Sequence, residues 1–516
     1  MKREPPTFNR KESFLLGIDI GTSACKISLV STATLKAITL SSPYQLLTPK
    51  PLWVELDPDI ILTSVFNLTR KLLGHTRVRH VEGVGLGGLV PSLVPVDGHG
   101  KPLLNCLANM DKRAYLESRW IEKKIGRERL YGIVYRSCLP KFVAPKILWV
   151  KKNYREIYDK TCKFLQIKDL LAYHLCGVFS TDSLLAGNTL LFDQNKGEWS
   201  RDLMKAMGIN GSKLPPLYSP MSILGKVTRK ASRLTGLKEG TPVVCGANDD
   251  ALASLAIGAL NQGTAFETTG TSTVFSMNLS TPLKDPLQRF EMGQGLKPDT
   301  YNISFVNQGT GAIIKWLIEE LSNTEKSKQS ELEILEWLET KAQEIGAGSE
   351  GLIILPFFEG MGSGIHDMKA KGVIFGLTLR HSKAHIYRAV LEGIALRLKE
   401  NAEILKSFGI NAREVRTTGG GAKSGLSRQI KADVLGLPYI LTDVEEAASV
   451  GAAMIAGGGI GIYPDPYSIG EKHARTVDTT MPRREFKSLY DRMARVSHKL
   501  TECLFSSSLS AALTWQ

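Results

Sequence analysis

The sequence is sparing in the residues that mark extracellular, metal-clustering or redox proteins. Its seven cysteines, at positions 25, 106, 138, 162, 176, 245 and 503, are isolated, odd in number and never spaced as CxxC. That spacing argues against a disulfide framework and a zinc knuckle, so the thiols read as small buried hydrophobes. The nine histidines show no HExxH or paired-ligand spacing, which leaves a hard ion held by oxygen as the only metal to expect. No run of five or six like charges occurs, and no Lys/Arg tract is interleaved with aromatics. The net charge of +14 is therefore a diffuse field, and no nucleic-acid partner is expected. Residues 1–13 carry Lys2, Arg3, Arg10 and Lys11 but no apolar signal-peptide core. The longest small apolar stretch, 451–462, is too short to span a bilayer. A cytoplasmic chain without a membrane anchor is expected.

What is present is the composition of a globular protein, 43% apolar and 22% charged over 516 residues. At about 100 to 200 residues per domain the length predicts two to four domains. Residues 14–30, FLLGIDIGTSACKISLV, begin as an apolar run, break at Gly21-Thr22-Ser23 and resume as an alternating strand, the pattern of a β-hairpin with a small polar tip. Residues 266–279, FETTGTSTVFSMNL, repeat the design around Gly270-Thr271-Ser272. The two tips lie nearly half the chain apart, which suggests an internal duplication with the hairpins facing each other across a cleft. Around them, strand-like segments (81–96, 415–421) mix with helix-like ones (144–159, 166–175, 309–321, 383–408), an α/β grammar. The expected divisions are 1–260, 261–465 and a basic segment 466–516 with a helix near 486–504 and a frayed end.

Three local patterns carry chemistry. Asp19 closes an apolar strand just before Gly21, Thr22 and Ser23, so a carboxylate, a glycine and two hydroxyls meet at one tip. Those are the parts of a phosphate and Mg²⁺ site, although an ordinary hairpin turn uses the same residues. VVCGANDD, 243–250, leaves Asp249 and Asp250 at the head of a helix-like segment, where they serve either as N-caps with Asn248 or as a base aimed outward. TTGGGAKS, 417–424, joins a strand to a helix and resembles an anion cradle, but it lacks the Gly-Lys-Ser/Thr order of a Walker loop. Gly83, Gly85 and Gly88 also spell GxGxxG. The apolar, Pro91- and Pro95-containing stretch after them opens no helix, so a dinucleotide site is not expected there.

Taken together, the residues resemble the FGGY carbohydrate kinases, from about residue 14 to 464. The most specific piece is GVIFGLTLRHSKAHIYRAVLE at 372–392. Lys146-Ile147-Leu148-Trp149, Thr181-Asp182 with 189–193, and GGGAKSGLSRQIKADVLGLP at 419–438 are similar in order and spacing. The resemblance implies an α/β, two-lobed actin-like (ribonuclease H-like) ATPase fold with duplicated lobes flanking a central cleft. It also implies ATP-dependent phosphorylation of a sugar or polyol hydroxyl, and it allows for a homodimer. Asp249, nine residues before Gly258, matches the catalytic base, and Asp19 matches the residue near Mg²⁺. Gly21, Thr22 and Ser23 and Gly270, Thr271 and Ser272 match the phosphate hairpins. Gly311, Gly420, Gly421, Ala422 and Ser424 match nucleotide contacts.

The departures fall where sugar specificity is set. Leu89-Val90-Pro91-Ser92 stands in place of a common Gln-Met-His-Gly, and Asn109-Met110-Asp111 with Arg113 replaces Trp-Asn-Asp with its following Arg. Met361-Gly362 replaces Glu-Arg, and Leu185 stands where many pentulose kinases have Asp. The expected substrate contacts are therefore Val90, Pro91, Asp111 and Asp249, without a standard xylulose, glycerol or gluconate site. A second reading is a degenerate member that binds nucleotide and sugar as a sensor without turnover.

Overall fold

The hairpin expected near the start is formed by strands Phe14–Ile20 and Ala24–Ser31, paired antiparallel with Asp19 opposite Lys26. The computed structural model describes residues 12–505 apart from 79, 271, 322–329, 365, 366 and 368. The hairpin lies in a six-stranded mixed sheet in the order Ile223–Lys226, Pro242–Asn248, Gly83–Gly88, Phe14–Ile20, Ala24–Ser31, Ala37–Pro43. The three strands Pro242–Asn248, Gly83–Gly88 and Phe14–Ile20 run parallel to one another. The first two hold near-continuous apolar or glycine runs with no alternation, as strands covered on both faces require.

The second hairpin, Thr264–Thr269 with Thr273–Leu279, repeats the arrangement. Its first strand pairs in parallel with Glu414–Thr418, which pairs in parallel with Tyr439–Thr442. Both sheets thus place a later strand beside the first arm of a hairpin, the repeat that the two Gly-Thr-Ser tips suggest.

The chain falls into two units that are not simple halves. The first takes residues up to Leu260 together with 279–302 and 446–474; the second takes 261–278, 303–445 and the residues from Arg475 onward. This differs from the expected divisions 1–260, 261–465 and 466–516. Helix Ala447–Gly459 packs on the first sheet although it follows the strands of the second. The basic C-terminal segment is also more than a helix and a tail. Strand Thr476–Thr480 pairs antiparallel with Tyr439–Thr442, and helix Lys487–Phe505 buries Tyr490, Met493 and Phe505 in the second unit's core. The frayed end lies outside the described residues.

Helix Ala447–Gly459 sits unusually close to the sheet. A Cβ added at Gly17 would lie 1.8 Å from the Ser449 carbonyl oxygen, and one at Gly85 would lie 1.8 Å from that of Ala452. The helix's own Gly451 lies equally near helix Asp249–Ala256, where a Cβ would come within 2.0 Å of the Leu252 carbonyl oxygen. The GxGxxG pattern is accounted for here: Gly83, Gly85 and Gly88 lie on one buried strand and serve packing. The cysteine reading needs one correction. Cys25, Cys106 and Cys245 are buried, but Cys138, Cys162 and Cys176 are only half-buried and Cys503 is exposed; all seven are free thiols.

Gly85→Ala is expected to cost at least about 3 kcal/mol, because the Ala452 backbone lies where the methyl group would go. Gly74→Ala, on the exposed face of helix Pro58–Thr76 with open space around its Cβ, is expected to be neutral or stabilising by up to about 1 kcal/mol. Denaturant titration of the two variants checks the contrast, and equal effects would remove the close-packing argument.

Candidate functional site

Asp19 ends up beside two further carboxylates because two strands of the first sheet finish together. Strand Phe14–Ile20 delivers Asp19. Strand Pro242–Asn248 runs into helix Asp249–Ala256 with Asp249 and Asp250 in its first turn. A register shift between Val244 and Ala247 redirects that second strand, at Gly246, whose φ of +74° and whose closeness to the Leu86 carbonyl admit only glycine. Lys168 steadies the same bend. Its buried Nζ donates to the Cys245 carbonyl at 3.0 Å and lies 3.1 Å from Asp182 Oδ2. Asp182 in turn caps helix Ser183–Gly187. The Thr181-Asp182 motif is therefore a buttress for the strand that carries Asp249.

Of the two roles open for the Asn248-Asp249-Asp250 turn, the Asn248 side chain makes no capping bond, while Asp249 Oδ1 accepts from the Asp250 N–H at 3.0 Å. Removal from water acts on all three carboxylates, and like charge adds to it at Asp19 and Asp250. Burial, then the Asp249 charge, pushes Asp19 up to about 8 against the opposing pull of Lys26. Burial holds Asp249 at about 6, moderated by backbone N–H groups and by Lys26. Asp250 is raised well above the ordinary carboxylate range by burial, then by the Asp249 and Asp19 charges. Among the described residues, the cation facing this group is Lys26, itself tied to Glu446 at 2.6 Å. Asp19 Oδ1 is buried and has no hydrogen-bond partner among the described residues.

The hairpin tip beside these groups is held from behind. The Gly21 N–H donates to the Ala24 carbonyl at 3.0 Å, and the Tyr44 hydroxyl donates to the Gly21 carbonyl. Thr22 is half-buried and Ser23 exposed. Among the described residues, no group of three or more His, Cys, Asp or Glu side chains is placed to hold a metal ion by itself.

The other expected sugar-side residues also lie in the first unit. Val90 and Pro91 follow strand Gly83–Gly88, and Ser92 is tied to helix Ile167–Cys176 by accepting from the Ile167 N–H at 3.1 Å. Asp111 is fully buried, and its oxygens accept from the Val54 N–H at 2.7 Å and from Arg113 Nε at 2.8 Å. Arg113 lies 3.8 Å from the Trp53 ring centre and bonds to Glu55. Asp111 therefore organises a wall of arginine and tryptophan through bonds to the chain's own donors.

In the second unit the hairpin and the glycine loop leave the sheet side by side, since Thr268 pairs with Thr418. Space around Gly270 and Gly420 is open, whereas a Cβ on Gly421 would lie 2.6 Å from Thr269 Cγ2. Gly419 adopts φ +88°, and Ala422 is buried behind it. Ser424 caps helix Gly425–Leu435, accepting from the Ser427 N–H at 3.0 Å, so its side chain has a structural task. Gly311 lies in the first turn of helix Thr310–Leu321; the residue before that helix, Gly309, donates its N–H to Ser272 Oγ at 3.3 Å. Thr271 lies outside the described residues. Gly270, Ser272, Gly311, Gly420 and Gly421 thus belong to one loop cluster whose backbone amides and hydroxyls suit an anion.

Sequence reasoning did not find Lys26, Glu446, Tyr44, Glu267 or Lys431. Lys26 was within reach, because a hairpin register places it opposite Asp19. The others depend on contacts between distant segments.

Comparison with known proteins agrees with this architecture. The model of the FGGY family of carbohydrate kinases, N-terminal domain, matches residues 14–256, and that of the C-terminal domain matches 265–459. A xylulose kinase of Staphylococcus epidermidis is 30% identical over 92% of this chain and 94% of its own. A xylulose kinase of Bacillus subtilis is 28% identical over 93% and 95%. The crystal structure of xylulose kinase from Rhodospirillum rubrum superposes with a TM-score of 0.85 at 26% identity, covering 95% of this chain and 99% of that one. The chain belongs to the FGGY family of carbohydrate kinases, with the α/β actin-like ATPase fold. It is an enzyme of the carbohydrate-kinase class. Among the described residues, no helix is long and apolar enough to cross a membrane.

The raised values at Asp19 and Asp249 fix the sign of a stability effect. In the folded protein these groups keep protons that the unfolded chain releases near the ordinary aspartate value. Their contribution is complete below that value and is lost as pH rises through about 6 and then about 8. Relative to the wild type, Asp19→Asn is expected to gain unfolding temperature between about pH 5 and about pH 8 in chelator-treated protein. Calorimetric scans of both proteins check this, and parallel pH profiles would contradict it.

Proposed function

We propose that this enzyme transfers the γ-phosphoryl group of ATP to a hydroxyl of a small sugar, ketose or polyol, with Asp249 as general base. The observation that carries the reading is the carboxylate group at the head of helix Asp249–Ala256, in which Asp249 is tuned to about 6 beside an Asp19 oxygen without a partner among the described residues. A base near 6 is largely ionised at neutral pH and still takes up a proton readily. The acceptor oxygen bonds to phosphorus as the bond from phosphorus to the bridging oxygen of ADP breaks, and the hydroxyl proton passes to the Asp249 carboxylate. Such a transfer needs little covalent help, so placement and charge neutralisation carry it.

The donor set fits Mg²⁺, which keeps several waters and needs only one or two carboxylates beside substrate phosphates. Asp19 is the residue to hold it, directly or through water, and there it supplies positive charge to the phosphate oxygens. Lys26, fixed by Glu446, adds a cation beside the carboxylates. In the first unit Gly21, Thr22 and Ser23 are the residues suited to contact phosphate, and in the second Gly270, Thr271 and Ser272. Gly311 and the 420–422 loop take the rest of the nucleotide, and Ser424 supports that loop by capping the helix after it. Val90, Pro91 and the wall held by Asp111 shape the acceptor pocket. The apolar Leu89-Val90-Pro91 stretch supports an acceptor less polar at that edge than a pentulose.

A sensor without turnover is disfavoured, because loss of chemistry in this fold calls for loss of the base or the metal-facing carboxylate, and both are present. Asp249→Asn is expected to lower kcat by about 10²- to 10⁴-fold while nucleotide KM changes little. In the wild type, kcat/KM is expected to fall as pH drops through about 6, where Asp249 gains its proton. ADP release measured across pentuloses, hexoses, polyols and sugar acids checks both, and undiminished turnover in a folded Asp249→Asn protein would refute the assignment.

A further inference from the structure

Beneath the second hairpin lies an ion pair that the reading above does not use. Lys431 of helix Gly425–Leu435 and Glu267 of strand Thr264–Thr269 have side chains only 3% and 0% exposed, with Lys431 Nζ 3.0 Å from Glu267 Oε1. Two buried charges of this kind are often no more stabilising than apolar residues of the same size, so their partners show what they hold. Lys431 Nζ also donates to Thr269 Oγ1 at 3.2 Å, and the Thr269 hydroxyl donates to Glu267 Oε1. Glu267 Oε2 accepts from the Thr417 hydroxyl at 2.6 Å. From Thr269 the chain of bonds continues to Thr273 Oγ1 at 3.1 Å and from there to Thr310 Oγ1 at 2.8 Å.

Each of these threonines borders one piece of the loop cluster. Thr269 and Thr273 flank the hairpin tip, Thr417 leads into the glycine loop, and Thr310 precedes Gly311 in the first turn of its helix. Contact between Gly421 and Thr269 Cγ2 then couples the loop to the tip. We propose that Lys431 is a positioning residue for nucleotide binding, and that its pairing with Glu267 locks the hairpin tip, the glycine loop and the start of helix Thr310–Leu321 into one arrangement for the phosphates. The proposal rests on the reading that these loops hold the nucleotide.

The full-length Glu267→Gln/Lys431→Met double variant tests it, since glutamine retains hydrogen bonds to both threonines and no lone charge stays buried. Its unfolding temperature is expected to return close to that of the wild type, above that of Lys431→Met alone. Its Kd for a non-hydrolysable ATP analogue with Mg²⁺ is expected to stay weakened by about tenfold. Amide exchange is expected to quicken at 269–273 and 417–423 and to stay unchanged at 249–256. Affinity that returns together with stability, or unaltered exchange in both loops, overturns the proposal. If the double variant does not fold, Thr417→Val keeps both charges and carries the same comparison with a smaller loss of about threefold. A wild-type protein that binds no analogue refutes the nucleotide reading instead, and the exchange comparison alone then decides whether Lys431 orders the loops.

Discussion

The close approach of helix Ala447–Gly459 to the first sheet is the contact on which the carboxylate site depends. Backbone meets backbone at Gly17, Gly85 and Gly451, so the helix can sit in only one place along the strands and beside helix Asp249–Ala256. That placement sets Glu446 against Lys26, and Lys26 opposite Asp19. It also fixes the helix whose first turn carries Asp249. The Ser28 and Ser449 hydroxyls, 2.7 Å apart, add a polar register mark in an otherwise apolar contact. Packing without side chains is thus what lets three carboxylates be held near one another, an arrangement that their mutual repulsion opposes.

The two units solve opposite electrostatic problems. In the first, carboxylates are gathered beside Lys26, and the raised values of Asp19 and Asp249 come first from their burial, with like charge adding to it at Asp19. A cation or a transferring proton relieves that charge. In the second, the loop cluster offers backbone amides and hydroxyls with the exposed Lys423 in the glycine loop, and the buried charges beneath it, Glu267 and Lys431, neutralise each other. An anion placed there meets oriented dipoles with no competing carboxylate in the loops themselves.

Much of this was legible in the sequence because its signals are local. The two Gly-Thr-Ser hairpins, helix Lys383–Ser407 and the strand-to-helix turn at Asp249 each announce themselves within a dozen residues through periodicity or turn chemistry. The edge strand Thr476–Thr480 was missed because polar residues dominate it and its partner decides its fate. Glu446 and Lys431 were missed for a related reason: their meaning lies in Lys26 and Glu267, far away in the chain, 164 residues in the case of Lys431 and Glu267. The glycines of strand Gly83–Gly88 mimic a nucleotide motif in spacing alone, and only the helix lying on them shows that the absent side chains make room for backbone.

The order of segments along the chain has a consequence for synthesis. A ribosome that has released residues 1–260 has released every strand of the first sheet, yet the helix that covers Gly17 and Gly85 is still nearly two hundred residues away. Until it arrives, a glycine-floored apolar face stays open to water and to other chains. The first unit therefore cannot complete its packing until residues 447–459 have been made, after the second sheet's strands up to Tyr439–Thr442.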